Sequence, residues 1–116
     1  MKKVIAVFIL FLISVNCISE TGEVSGNVIK IVNHQYLDGI GWDNQIWFCL
    51  DSQSSVGSCP TSSSCNNKAV FVISKDAAPS IFSTVLAAKL SNTQITVGVD
   101  DSKRLMGLCV ARIISI

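Results

Sequence analysis

Residues 69–99 read AVFVISKDAAPSIFSTVLAAKLSNTQITVGV, and the changes of period inside this stretch decide the fold class. Ala69-Val70-Phe71-Val72-Ile73 is wholly apolar, the mark of a strand with neighbours on both sides. From Asp76 the spacing changes. Asp76 offers a helix cap and Pro79 suits a first helical turn, while Ile81, Phe82, Val85, Leu86 and Leu90 recur at helical intervals. Ser91-Asn92 ends that pattern, and Ile95, Val97 and Val99 then alternate with Gln94, Thr96 and Gly98 at the period of a half-buried strand. The stretch is strand, helix, strand.

Upstream, Val24 to Asn33 carries the β-branched residues Val28, Ile29, Ile31 and Val32 and reads as a first strand. Tyr36 to Gly41 is a glycine-bearing turn or loop. Gln45 to Leu50 is a second strand, with Ile46, Phe48 and Leu50 on one face and Trp47 and Cys49 on the other. A serine-rich polar loop, Asp51 to Lys68, follows. Downstream, Asp100-Asp101-Ser102-Lys103 turns the chain into a last strand, Leu108 to Ile116. The order is β-β-β-α-β-β, mainly β with one helix. Five strands with a helix between the third and fourth is the order of an OB-like barrel.

The amino terminus sets the expected compartment. Lys2 and Lys3 precede the apolar run Val4 to Val15, 12 residues long, which fits a secretory signal and is too short to span a bilayer. Cleavage is expected after Ser19, leaving residues 20–116 as a single exported domain, secreted or periplasmic. Cys17 would be the lipidated residue of a lipoprotein, but Ser14-Val15-Asn16 does not match the sequence that precedes one. Loss of Lys2 and Lys3 takes the basic residues from 9 to 7 against 8 acidic ones. A near-neutral domain lacks the basic surface that nucleic acid or an anionic membrane requires.

Cys49, Cys59, Cys65 and Cys109 remain after cleavage. An even number in a small exported domain reads as two disulfides. Paired Cys-x-x-Cys spacing is absent and His34 is the lone histidine, so metal and cofactor are both read as none. Three pairings are possible, and a local one, Cys59 with Cys65 and Cys49 with Cys109, stays open at this point.

Catalysis finds little support. His34 has serines in the chain to pair with, but there is no Gly-x-Ser-x-Gly elbow and no marked supporting acid. His34 reads as a surface residue ending the first strand, and Asp100-Asp101 as a solvated turn. Gly39-Ile40-Gly41 opens no helix and is no phosphate loop. Binding has more to offer. Trp42 stands beside Asp38, Asp43 and Asn44, with Tyr36 close by. An aromatic ring stacks on the C–H face of a sugar while amides and carboxylates bond its hydroxyls. The other reading of Trp42 is a plug packed on the end of the barrel.

Several strings resemble the B subunits of subtilase cytotoxin and typhoid toxin, exported OB barrels that form five-membered rings on cell-surface sialoglycans. Glu20-Thr21-Gly22-Glu23 is similar to the family's Trp-Thr-Gly-Asp opening without its tryptophan. Val24-Ser25-Gly26-Asn27-Val28-Ile29 resembles its first strand, and Trp47-Phe48-Cys49-Leu50 its Tyr-Phe-Cys-Ile. Ile81-Phe82-Ser83-Thr84 is similar to its helix start, and Leu105-Met106-Gly107-Leu108-Cys109 to its last strand. The resemblance implies that Ser25 bonds a sialic-acid carboxylate, and that Cys49 pairs with Cys65, leaving Cys59 for Cys109. It also implies a homopentamer, a glycoprotein receptor and an enzymatic A-type partner. Where family members place a tyrosine near the end of the fourth strand, this chain has Val99. The expectation is therefore a non-catalytic, glycan-binding module with Ser25, Trp42, Asp43 and Asn44 as contacts. The competing class is a secreted or periplasmic protein-interaction factor, an inhibitor or immunity-type protein on the same barrel.

Overall fold

The computed structural model describes residues 20–35, 41, 43–53 and 56–116, so the expected signal segment lies outside the described residues. The strands are β1 Thr21–Gly26, β2 Val28–Asn33, β3 Gln45–Leu50, β4 Thr61–Ser62, β5 Lys68–Ser74, β6 Ile95–Asp100, β7 Arg104–Leu105, β8 Leu108–Cys109 and β9 Ile113–Ser115. A 3-10 turn covers Ser63–Cys65, and one helix, α1, covers Pro79–Ser91. The protein is mainly β with one helix, as its periods predict. No described helix is long and apolar enough to cross a membrane.

The strands form a three-stranded sheet in the order β1-β6-β9, a four-stranded sheet in the order β2-β3-β5-β4, and the two-stranded β7-β8 hairpin. This corrects the expected five-stranded closed barrel: the described sheets are open, and the strands are more numerous. The reason lies where two long runs break. The first run breaks at Asn27, whose carbonyl accepts from the Asp51 amide at 2.8 Å. Gly26 lies against that crossing, where an added Cβ would stand 2.7 Å from the Asp51 carbonyl oxygen. The last run breaks between Ala111 and Arg112. The Ala111 amide donates to Val72 of β5 at 3.0 Å, while the Arg112 amide donates to Gly98 of β6 at 3.0 Å. Consecutive donors thus serve different sheets, and a single parallel bridge, Val72 to Val110, stands where a closed barrel would have a ladder.

Alternation fills the space between the sheets. Val24, Val28, Ile46, Phe48, Leu50, Phe71, Ile73, Ile95 and Val97 turn inward and are buried. Phe48 and Phe71, cross-strand partners, hold their ring centroids 5.8 Å apart. Helix α1 closes this core with Val85 and Ala88, helped by half-buried Ile81 and Phe82. Leu90, expected on the same face, is 79 % exposed. Nine residues make about two and a half turns, so Leu90 points away from the side that Ile81 covers. Asp76 does not cap the helix either: Ala78 holds that position without a side-chain bond, and Pro79 starts the helix as expected. At the other end Asn92 takes a left-handed conformation, φ 53°, and returns its amide to the Ala88 carbonyl.

The disulfides are Cys49–Cys65 and Cys59–Cys109, the pairing that the resemblance implies, with Cα atoms 5.4 and 5.6 Å apart. They point to an oxidising compartment. By the chain-entropy argument they contribute about 3 and about 4 kcal/mol. The Cys59 loop is also bound by Arg104, which donates to the Ser58 carbonyl at 2.9 Å and to the Asp101 carbonyl at 2.9 Å.

Candidate functional site

Ser25 sits on β1 with its side chain outward, because its neighbours Val24 and Gly26 take the buried positions of the alternation. Opposite it on β6 is Thr96, and opposite Thr96 on β9 is Ser115. Partners in an antiparallel ladder project to the same side of the sheet. The three hydroxyl residues therefore form one row across the outer face, and Ser25 Oγ lies 2.7 Å from Thr96 Oγ1. Each hydroxyl keeps capacity beyond that bond, since it can donate once and accept twice.

The next row runs Glu23, Gly98, Ile113. Gly98 has no side chain, so the row dips between a carboxylate and an isoleucine. The dip is a groove of about 290 Å³ whose lining includes Thr21, Glu23, Gly98, Arg112 and Ile113. Arg112 stands at one end with a guanidinium nitrogen 3.8 Å from an Asp100 carboxylate oxygen. That carboxyl is held below its usual range by the hydroxyl and amide of Ser102, against an opposing effect of burial, with Arg112 adding a smaller push. The face therefore offers a row of hydroxyls and, in the next row, an open depression lined by one carboxylate and one guanidinium. Groups of these kinds can hydrogen-bond a polyhydroxylated ligand.

The sequence names Ser25 on this face but gives no sign that Thr96, Ser115 and Glu23 share it or that Arg112 lines the adjoining groove. The alternation of residues 94–99 already put Thr96 on an outward face. Nothing local says that β6 lies between β1 and β9.

Of the other expected contacts, the described Asp43 and Asn44 fall elsewhere. Trp42 lies outside the described residues, as do Tyr36 and Asp38. Asp43 uses its carbonyl to accept from the Gln45 side chain at 3.2 Å. Asn44 adopts φ 59° and accepts from the Lys75 amide at 3.0 Å, which makes it a turn residue at the start of β3. Asn66, Asn67 and Asn92 share that left-handed backbone, the conformation asparagine tolerates best among residues with a Cβ. Asp43 and Asn44 stand at the Asn33 end of β2, whereas Ser25 lies just before the joint at its other end. The structure does not gather these residues into one site with Ser25.

Val99 is 4 % exposed and faces the core, as the alternation of β6 requires. His34, expected at the surface, is half-buried: its Nε2 accepts from the Trp47 indole N–H at 3.1 Å. Asp101 is part of the expected turn, and its carboxylate accepts the amides of Glu20 at 2.8 Å and Ser58 at 3.3 Å. Those two bonds draw its carboxyl below the ordinary range. Among the described residues no group of three or more His, Cys, Asp or Glu is arranged to hold a metal ion. Comparison with protein-family models, with curated proteins and with solved structures finds no match to this chain.

Proposed function

We propose that the protein is an exported, non-catalytic binding module that recognises cell-surface glycans through the outer face of the β1-β6-β9 sheet. The observation that carries this reading is the hydroxyl row Ser25–Thr96–Ser115 beside the groove of about 290 Å³. A sugar presents alternating hydroxyls and C–H patches. The row supplies hydrogen-bonding partners, Ile113 supplies apolar surface, and Glu23 and Arg112 supply charge at the rim. Such contacts are weak singly and gain strength when several copies of the site sit on one ring, the arrangement the toxin-subunit resemblance implies. An OB-like reading has support from the chain path: the bent run β1–β2 pairs with both β6 and β3, the helix lies between β5 and β6, and the Val72–Val110 bridge links the sheets. An enzymatic partner would then supply the chemistry this face lacks.

A protein-interaction factor is the second reading, favoured by Ile113 and Ile116, which are 67 % and 74 % exposed on and beside β9. The two separate cleanly. Glycan-array binding by the wild type, lost in Ser25→Ala, is the outcome expected of the first; no binding to any glycan removes it. A solution mass five times that of the chain supports the ring. A monomer removes the ring and favours the second reading.

A further inference from the structure

The outer face of the other sheet carries a second depression. Trp47 on β3 and Val70 on β5 form its floor, with Leu108 of β8 and the hydroxyl residues Ser62 and Ser64 at its edges; its volume is about 220 Å³. Beneath lies the Cys49–Cys65 disulfide, which packs with Val70 and fixes the 3-10 turn bearing Ser64 against β3. Trp47 is held in place from two directions. Its indole N–H donates to His34, and Lys30 Nζ lies 5.6 Å from its ring centroid. Lys30 approaches from β2, on one side of β3, whereas Val70, Leu108 and the serines lie on the β5 side. The indole is thus covered by a cation from the β2 side and borders the groove on the β5 side. Ser62 Oγ accepts the Ser64 amide at 3.2 Å, which leaves its proton available to a ligand.

We infer that this groove is a binding site for a single pyranose ring, stacked by its C–H face against Trp47 and bonded through its hydroxyls to Ser62 and Ser64. Size selects the occupant. The groove is small, about 220 Å³, on the scale of a single ring rather than an extended chain. A docked protein would need about 800 Å² per partner. Charge argues against a nucleotide: Lys30 is engaged over the indole, and the domain is near neutral once the leader is removed. The site is independent of the Ser25 face, with which it shares no residue.

The test is titration of the purified protein with methyl β-galactopyranoside, methyl β-glucopyranoside and methyl α-mannopyranoside, followed by the indole N–H resonances. Trp42→Phe assigns the Trp47 signal. At least one glycoside is expected to shift that signal saturably, with millimolar affinity. Ser64→Gln, at an exposed position, would fill the groove and weaken binding at least about tenfold, the equivalent of a lost hydrogen bond or more. Ser25→Ala should leave the titration unchanged. No saturable shift with any of the three, or an undiminished shift in Ser64→Gln, overturns the site. Equal weakening by Ser25→Ala places the sugar on the other sheet and also overturns it. Failure of the Ser25 face on a glycan array leaves this titration unaffected, so the two readings fail separately.

Discussion

The two sheets use their outward faces differently. Behind β2-β3-β5-β4 lies a second, smaller apolar cluster, in which the Cys49–Cys65 disulfide and Val70 pack with Ile29, Trp47 and Leu108. That face is built: a staple, an oriented indole and a narrow groove. Behind β1-β6-β9 the two rows are Ser25, Thr96, Ser115 and Glu23, Gly98, Ile113, hydroxyls and a carboxylate with one exposed isoleucine. The core needs none of these, because Val24, Ile95 and Val97 already occupy the inward positions of the same strands. Residues that packing does not require are the ones free to be chosen for a ligand. The contrast explains why the broad hydroxyl face is read as the main recognition surface, and the braced indole as a single-ring subsite.

The contrast can be broken from the structural side first. Replacing Cys59 and Cys109 by alanine should cost about 4 kcal/mol, and replacing Cys49 and Cys65 about 3 kcal/mol, the shorter loop constraining the unfolded chain less. Chemical denaturation of the two double variants measures both. The second pair should in addition loosen the Trp47 face while leaving the proposed glycan binding through Ser25 in place. Gly26→Ala comes next. Its methyl would meet the Asp51 carbonyl oxygen at 2.7 Å, and the backbone crossing that separates the sheets cannot yield cheaply. A loss of about 1–3 kcal/mol is expected in the same assay.

Acid should act on one region more than the other. Asp100 and Asp101 both titrate below the usual carboxylate range, Asp100 through Ser102 and Asp101 through the amides of Glu20 and Ser58. A depressed carboxyl contributes stability that is present above its unfolded pKa and is lost as pH falls through the folded value. Thermal melting should therefore drop as pH falls below about 4, and Asp101→Asn should flatten that drop. An unchanged profile in Asp101→Asn would show that its bonds to Glu20 and Ser58 contribute nothing to the fold. The smallest effect on stability is expected from Ser25→Ala, within about 0.5 kcal/mol, since its exposed hydroxyl bonds only a neighbour on the same face.

Much of this fold is visible in the sequence wherever one strand or one turn decides the matter. Gln45–Leu50 has the bounds and the two faces that its alternation predicts, and Ile95–Asp100 starts and ends one residue later than the alternating stretch 94–99. The break at Asn27 is another kind of fact. It follows from a distant carbonyl, that of Asp51, meeting Gly26, and no local pattern encodes that approach. The same holds for the last strand, which divides because Ala111 and Arg112 bond opposite sheets. For the proposed site, the resemblance points to Ser25 and the alternation puts Thr96 on an outward face. Their meeting, and the addition of Ser115, depend on sheet order. Asn44 shows how one residue type suits two roles: asparagine favours left-handed turns as well as sugar contact, and here it is a turn residue.

The central claim is that the hydroxyl row reads a glycan while the fold ignores it. Its most direct test is Thr96→Val, which keeps the β-branched shape at the centre of the row and removes one hydroxyl. Binding to the best glycan of an array should be measured for this variant, for Ser25→Ala and for the wild type, alongside their melting temperatures. The account predicts that both variants melt with the wild type and lose binding by about tenfold or more. Undiminished binding in both, or no glycan bound by the wild type, would contradict it.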